Sequence, residues 1–306
     1  MHVGHADFLI IGAARSSTSA LARFLESQPN VYITDPKEPH FLAHAGQPGN
    51  YQGPGDDFLI NQRIVSEPAA YSKLFDGHPE SCIKGEGSVT TFAFPDPSIA
   101  NIDKYCKSDV KLVLCLRDPV ERMFSSYLYL RSRQREPILD FREALELEEE
   151  RTAANWHHMW RYGALSRYDL LLPPFLEHFD DRLHICVSER LDGLASPEFH
   201  AVATFLGLTD VRTDVEFGQI NSGGIPNGSA ISRAAMRIVK NERLLEVAKK
   251  AIPRPVQERL YHNVYDRPTL DPNLASELRE AFEPSIQVVE EVVGPLPEWR
   301  TTTSAV

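Results

Sequence analysis

Between Asp7 and Leu25 the chain reads DFLIIGAARSSTSALARFL, and this stretch limits what the rest can fold into. Phe8, Leu9, Ile10 and Ile11 form a short unbroken apolar run, the pattern of a strand covered on both faces, and Gly12 to Arg15 interrupts it. From Ser16 onward the hydroxyls of Ser16, Ser17, Thr18 and Ser19 stand where a helix N-cap is wanted, and Leu21, Phe24 and Leu25 then recur at helical spacing. The order is strand, tight loop, helix. Such a loop gathers backbone N–H groups and the positive end of a helix at one point. Arg15 adds a full charge there, so a phosphate or sulfate group is the natural occupant. The stretch lacks the Gly-Lys-Ser/Thr ending of a nucleoside-triphosphate P-loop, and taken alone it also fits an ordinary strand-to-helix connection.

Four more runs read as strands: Val31 to Ile33, Ser81 to Glu86, Lys111 to Leu116 and Leu183 to Val187. Helical patterns separate them, at Pro68 to Phe75, Pro97 to Cys106, from Pro119 onward, Phe141 to Glu150, and Leu165 to Phe179, where Pro173-Pro174 kinks or divides the helix. Val120, Met123, Phe124, Tyr127 and Leu130 share the buried face of the Pro119 helix, with Arg122 and Ser125 off it. Pro197 to Leu206 is a helix stopped by Gly207, and Asn273 to Val293 a helix interrupted at Pro284. The alternation predicts an α/β fold: a central parallel sheet of about five strands flanked by helices, P-loop-like, in a single domain over residues 1–306, with working groups at the carboxyl ends of the strands. The Gly/Pro-rich segment Ala45 to Asp57 is expected to be a mobile loop bordering the site, and NSGGIPNG, Asn221 to Gly228, a loop leading into a basic helix with Arg233, Arg237 and Lys240.

A net charge of −11 with acidic runs such as Glu143 to Glu150, read as a solvated helix face, argues against nucleic acid as a partner. An anionic ligand must then be held by a few placed cations and N–H groups. The four cysteines, Cys82, Cys106, Cys115 and Cys186, show no metal-ligand spacing and read as reduced thiols. No apolar run reaches membrane-spanning length and no leader pattern is present, so a cytoplasmic location without membrane insertion is expected.

A parallel sheet brings Arg117, at the end of the fourth strand, to the same edge as Arg15, and Glu38 joins them. Two guanidiniums, a helix N-terminus and a carboxylate are what transfer of an anionic group to a hydroxyl requires. GAARSSTSAL resembles the 5′-phosphosulfate loop of sulfotransferases that use 3′-phosphoadenosine-5′-phosphosulfate (PAPS). LRDPVERMFSSYLYL is similar to their 3′-phosphate motif, and KEPHF to the segment carrying the catalytic glutamate in heparan sulfate sulfotransferases. The likeness continues through GEGSVTTF, the Tyr162-Gly163 to Phe179 region, NSGGIPNGSAISR and Leu296 to Trp299.

The resemblance implies PAPS as co-substrate with no metal, and a small-molecule or glycan hydroxyl as acceptor. It implies donor binding by Ala14, Arg15, Ser16, Ser17, Thr18, Ser19, Arg117, Ser125, Gly223 and Gly224. Glu38 becomes the general base, Arg15 the stabiliser of the leaving group, and Lys37, His40, His157 and Tyr162 the acceptor side. The chain departs from many members of that family in carrying Arg15 for Lys, Ser16 and Ser17 for glycines, and Gly87 for a Lys of the heparan sulfate enzymes, which points to a different acceptor. Competing classes are a P-loop kinase, which needs a Lys on the phosphates and Mg²⁺ ligands, and a nucleotide-binding module without catalysis.

Overall fold

The five apolar runs become strands whose side chains divide by parity between two helical layers. The structure is a computed structural model that describes residues 6–191, 196–212, 225–226, 229, 265–266 and 268–300. β1 (Phe8–Gly12), β2 (Val31–Ile33), β3 (Ile83–Glu86), β4 (Lys111–Leu116) and β5 (Leu183–Val187) form one parallel sheet in the order β2-β3-β1-β4-β5. Leu9, Ile11, Leu112, Leu114 and Leu116 pack on one face with Phe41, Phe92, Phe175 and Trp299. Phe8, Ile10, Val113, Cys115 and Cys186 face the other way, against Leu21, Phe24, Leu25, Phe199 and Val202. Successive strand residues point to opposite faces, so an unbroken apolar run is what a doubly covered strand needs. Phe8 lies opposite Gly85, where an added Cβ would stand 2.3 Å from the ring, so the register there depends on glycine.

Strand order places the site. The chain leaves β1 towards β2 and β3 on one side and returns to β4 on the other, so a crevice opens beyond the carboxyl ends of β1 and β4. α1 (Thr18–Glu26) follows β1, α2 (Phe41–His44) follows β2, and α3 (Pro68–Lys73) precedes β3. α4 (Thr90–Ala93) and α5 (Pro95–Tyr105) lie between β3 and β4, so the helix expected from Pro97 starts two residues earlier, with Pro95 in its first turn. α6 (Pro119–Ser132) is capped by Asp118, whose Oδ1 accepts the Val120 and Glu121 N–H groups at 2.8 and 2.9 Å.

The helix expected over Phe141 to Glu150 is two, α7 (Phe141–Glu146) and α8 (Glu148–Ala153), broken at Leu147. The Leu165 to Phe179 region divides into a 3₁₀ turn (Ala164–Ser166), α9 (Tyr168–Leu171) and α10 (Pro173–Phe179), since Pro173 has no N–H to continue the ladder. α11 (Pro197–Leu206) ends at Gly207 in the left-handed conformation, φ 82°. α12 (Pro272–Ala281) and α13 (Glu283–Val293) replace the single interrupted helix, with Pro284 in the first turn of the second, and α14 (Pro297–Arg300) buries Trp299. Of the segment from Asn221 onward, Ile225–Pro226 pairs antiparallel with Tyr265–Asp266; Gly223, Gly224 and the basic helix of Arg233, Arg237 and Lys240 lie outside the described residues. Among the described residues, no helix is long and apolar enough to cross a membrane.

Candidate functional site: a cationic loop beside a carboxylate turn

The loop after β1 is strapped to β4, with the Ala13 N–H on the Cys115 carbonyl at 2.7 Å. Arg15 (φ 69°) and Ser17 (φ 62°) both take the left-handed conformation, uncommon for residues with a Cβ. The expected hydroxyl cap does not form. Ser17 begins α1 without a side-chain bond to its amides, and its Oγ instead meets Ser188 Oγ at 2.6 Å, just beyond β5. Ser16 Oγ is buried and has no hydrogen-bond partner. The first amides of α1 are thus left without a cap and face the loop.

Arg15 reaches Ser125 of α6, Nε to Oγ 3.3 Å, and its guanidinium lies 4.8 Å from the centre of the Tyr129 ring. Burial pushes it down to about 10; the Tyr129 hydroxyl opposes this, and the charges of Arg117, Arg122 and Arg133 add to it. No carboxylate is among the groups acting on it. Arg117 is half-buried between Glu121 and Glu189, at 3.6 and 3.9 Å, while Asp118 is engaged by Arg279 at 3.5 Å. The structure therefore brings Arg15, Arg117 and Ser125 together at the ends of β1 and β4.

Arg122 corrects the sequence reading. It is fully buried rather than off the packed face, and it donates to the Ala14 carbonyl at 3.4 Å, to Ser166 Oγ at 2.6 Å and to the Tyr162 carbonyl. A buried guanidinium spending its donors on carbonyls shapes the loop from beneath. Tyr162, expected on the acceptor side, lies inside the packed framework. Its side chain is fully buried and its hydroxyl donates to Glu136 Oε2 at 2.7 Å, inside the buried Arg151–Glu136 pair. Glu148 is no free surface charge either: it accepts the Gly163 and Ala164 N–H groups at 2.7 and 2.8 Å.

The second half of the site is the turn after β2. Glu38 is a third exposed, with Oε1 3.3 Å from Lys37 Nζ and Oε2 4.0 Å from His40 Nε2. His40 is buried in a left-handed conformation, its Nδ1 3.1 Å from Thr90 Oγ1. Burial, with His44, Arg63 and Lys37 adding, pushes its imidazole down to about 3, so the ring is neutral at pH 7. Gly87 leaves room for Lys37: a Cβ there would stand 2.9 Å from Lys37 Cε. Beneath the turn Glu86 is buried, and burial pushes its carboxyl up to about 8.

His157 is buried with neither ring nitrogen hydrogen-bonded, its ring 3.8 Å from that of His158 and 5.2 Å from that of Tyr51. Burial lowers both imidazoles, so they too are neutral. The segment Ala45 to Asp57, expected to be mobile, is tied down by polar bonds. Asp56 accepts from the Gly53 and His157 N–H groups at 2.9 Å each and from Trp160 Nε1 at 3.3 Å, and Gln52 N–H donates to the Asn155 carbonyl at 3.0 Å.

The sequence reading missed Arg122, Ser188, Asp56 and Glu86. The strand-end rule that singled out Arg117 would have found Glu86, the last residue of β3. Among the described residues no group of three or more His, Cys, Asp or Glu side chains is placed to hold a metal ion.

No protein-family model matches the chain. It is 29% identical to heparan sulfate glucosamine 3-O-sulfotransferase 3A1 of Mus musculus and to heparan sulfate glucosamine 3-O-sulfotransferase 3B1 of Homo sapiens, in each case over 219 residues, 71% of this chain and 50% of the relative. It is 28% identical to carbohydrate sulfotransferase 15 of Mus musculus over 155 residues, 41% of this chain and 27% of the relative. The chain thus spans about half the length of the first two. Among solved structures, a sulfotransferase from Alicyclobacillus acidocaldarius matches with a TM-score of 0.72 and 27% identity, over 97% of this chain and 99% of that one. In sequence and in fold the chain is similar to sulfotransferases.

Proposed function

We propose that this chain, as one domain, transfers the sulfuryl group of PAPS to a hydroxyl of a carbohydrate or natural-product acceptor. The observation that carries this reading is the knot of cations around Arg15, with no carboxylate among the charges acting on it, at the uncapped start of α1 and on the same sheet edge as Glu38. Like charges held together in a partly desolvated place are stable only with an anion between them, and PAPS brings one phosphate for the Arg15 loop and another for Arg117 and Ser125. The unpartnered Ser16 hydroxyl and the open amides of α1 fit the same group.

Glu38, a third exposed, takes the acceptor proton as the new S–O bond forms. Arg15 and the Ser17 to Ser19 backbone hold the departing phosphate as its charge grows; a guanidinium does this by charge and hydrogen bonding and keeps its proton. Lys37 and His40 flank the carboxylate, Lys37 as its ion-pair partner and the neutral His40 offering Nε2 to a hydroxyl. The kinase reading is not favoured, because the loop lacks the Gly-Lys-Ser/Thr ending with which a P-loop holds the phosphates and Mg²⁺ of ATP.

The test is calorimetric titration with 3′-phosphoadenosine-5′-phosphate (PAP), the spent donor. Arg117→Ala removes a charge-assisted contact of about 1.5–3 kcal/mol, so PAP affinity falls about tenfold or more. Equal affinity in the two proteins would sink the donor assignment. Turnover insensitive to a metal chelator is the companion expectation.

A further inference from the structure

Glu86 closes β3 next to β1, paired in register with Leu9, and its side chain is 1% exposed. Transfer as described above gives it no role. A carboxyl with so little access to water is costly unless its oxygens are used. One of them is used on the segment that carries Glu38. Glu86 Oε2 accepts the Ser88 hydroxyl at 2.6 Å, and Ser88 Oγ accepts the His40 N–H at 2.9 Å. Beside that relay the Gly87 N–H donates to the Lys37 carbonyl at 3.0 Å. The turn from Lys37 to His40 therefore hangs from the end of β3 at both its ends, and the attachment at His40 terminates on Glu86. His40 is also where the backbone is strained, at φ 57°, so this bond sits where the turn most needs holding.

We propose that Glu86 is a positioning residue for the transfer: through Ser88 it holds the turn that presents Glu38, and its own ionisation alters the charge beside that carboxylate. The inference rests on the reading of Glu38 as the base. The titratable and charged groups facing Glu86 are Lys37 and Glu38 from the turn, Tyr71 of α3, and Cys106 just after α5. Burial raises the Tyr71 hydroxyl and the Cys106 thiol, so both stay neutral through the working range. Burial likewise raises Glu86, opposed by the Ser88 bond and by Lys37 and aided by the charge of Glu38. At pH 7 the Glu86 carboxyl thus carries its proton. Above pH 8 Glu86 ionises and sets a negative charge beside the Glu38 side chain, and a neighbouring negative charge favours proton uptake by a base.

Two measurements on the full chain test this. In protein labelled with ¹³C at the glutamate carboxyls, the Glu38 signal, identified by its loss in Glu38→Gln, should show a second inflection near pH 8 that disappears in Glu86→Gln. The rate of PAP release from PAPS with water as acceptor should rise about threefold between pH 7 and 9, a rise that Glu86→Gln abolishes. Ser88→Ala cuts the strap but keeps the carboxyl, so it should lower the rate at every pH while the inflection remains, moved to higher pH by the loss of the bond that opposed it. A Glu38 signal without the inflection, or one that keeps it in Glu86→Gln, overturns the proposal. If Glu38→Gln leaves PAP release unchanged while the inflection is present, the base assignment fails and the coupling of the two carboxyls stands.

Discussion

The donor loop and the Lys37–His40 turn share one edge of the sheet, yet burial leaves them with opposite characters. At the loop it pushes Arg15 down to about 10, which still leaves the guanidinium charged at neutral pH. At the turn the same effect pushes His40 down to about 3 and Glu86 up to about 8, and both are then neutral at pH 7. The difference lies in how far each group starts from neutrality: an arginine withstands a large fall, a histidine or a carboxyl does not. One side therefore keeps a standing positive charge fit for a polyanion. The other presents a partly exposed Lys37–Glu38 pair beside the neutral His40 and Glu86, fit for a hydroxyl whose proton must be taken.

The widest break in that comparison comes from removing one charge on each side. Glu38→Gln keeps shape and most binding but removes the base, so kcat should fall by about 10² or more with PAP affinity nearly unchanged. Arg15→Ala should weaken PAP binding and turnover together, because its charge acts in both states. Steady-state kinetics with PAPS and calorimetry with PAP separate the two patterns. Near wild-type kcat in Glu38→Gln would move the search for a base to His40, whose Nε2 is 4.0 Å from Glu38.

Next in size is an acid effect confined to the turn side. His40, His44, His157 and His158 all have imidazoles lowered by burial, with Lys37, Arg63 and Arg161 among the charges adding to it. Above the unfolded value of about 6.5, neither the folded nor the unfolded chain protonates them and they contribute no slope. Below it the unfolded chain takes up protons that the folded chain refuses, so stability is lost as pH falls, down to the folded value of about 3 in the case of His40. Each such histidine adds up to about 1.4 kcal/mol per pH unit in that window. Denaturant titrations at pH 7, 6 and 5 should show the decline, and His157→Gln should flatten it; an unchanged slope would mean His157 is protonated in the folded chain.

How much of this could be read beforehand depends on which interaction sets each feature. Strands β1, β4 and β5 were legible because a doubly buried strand writes itself as an apolar run, and the meeting of Arg15 and Arg117 because strand ends in a parallel sheet converge; Ser125, on α6, was singled out only by the likeness to the 3′-phosphate motif. The burial of Arg122 and of Tyr162 was not legible, for the opposite reason. Their places are set by partners far along the chain, Ala14 for the first and Glu136 for the second, and a buried polar side chain leaves no periodic mark. The Ala45 to Asp57 segment has the composition of a free loop, but the buried Asp56 gathers its N–H groups with those of His157 and Trp160. If Tyr162 belongs to the framework, Tyr162→Phe should cost about 1.5 kcal/mol of stability, the value of a hydrogen bond to a charged acceptor, and leave the acceptor KM unchanged. A raised KM without lost stability would return Tyr162 to the acceptor side.

The smallest expected effect sharpens the comparison at the donor loop itself. Ser17 takes a conformation that glycine adopts freely, and a Cβ there costs about 1 kcal/mol. Its hydroxyl meets Ser188 beyond β5, a bond contributing about 1 kcal/mol. Ser188→Ala removes the bond and keeps the strain, so stability should drop by about 1 kcal/mol. Ser17→Gly removes both, and the two changes nearly cancel, leaving stability within about 0.5 kcal/mol of the parent. PAP affinity then decides what the serine is for. If the Ser17–Ser188 contact serves to hold the loop amides in place, both variants bind PAP less tightly by a similar factor. If the left-handed backbone is what matters, Ser17→Gly binds as well as the parent or better, and the weaker binder is Ser188→Ala.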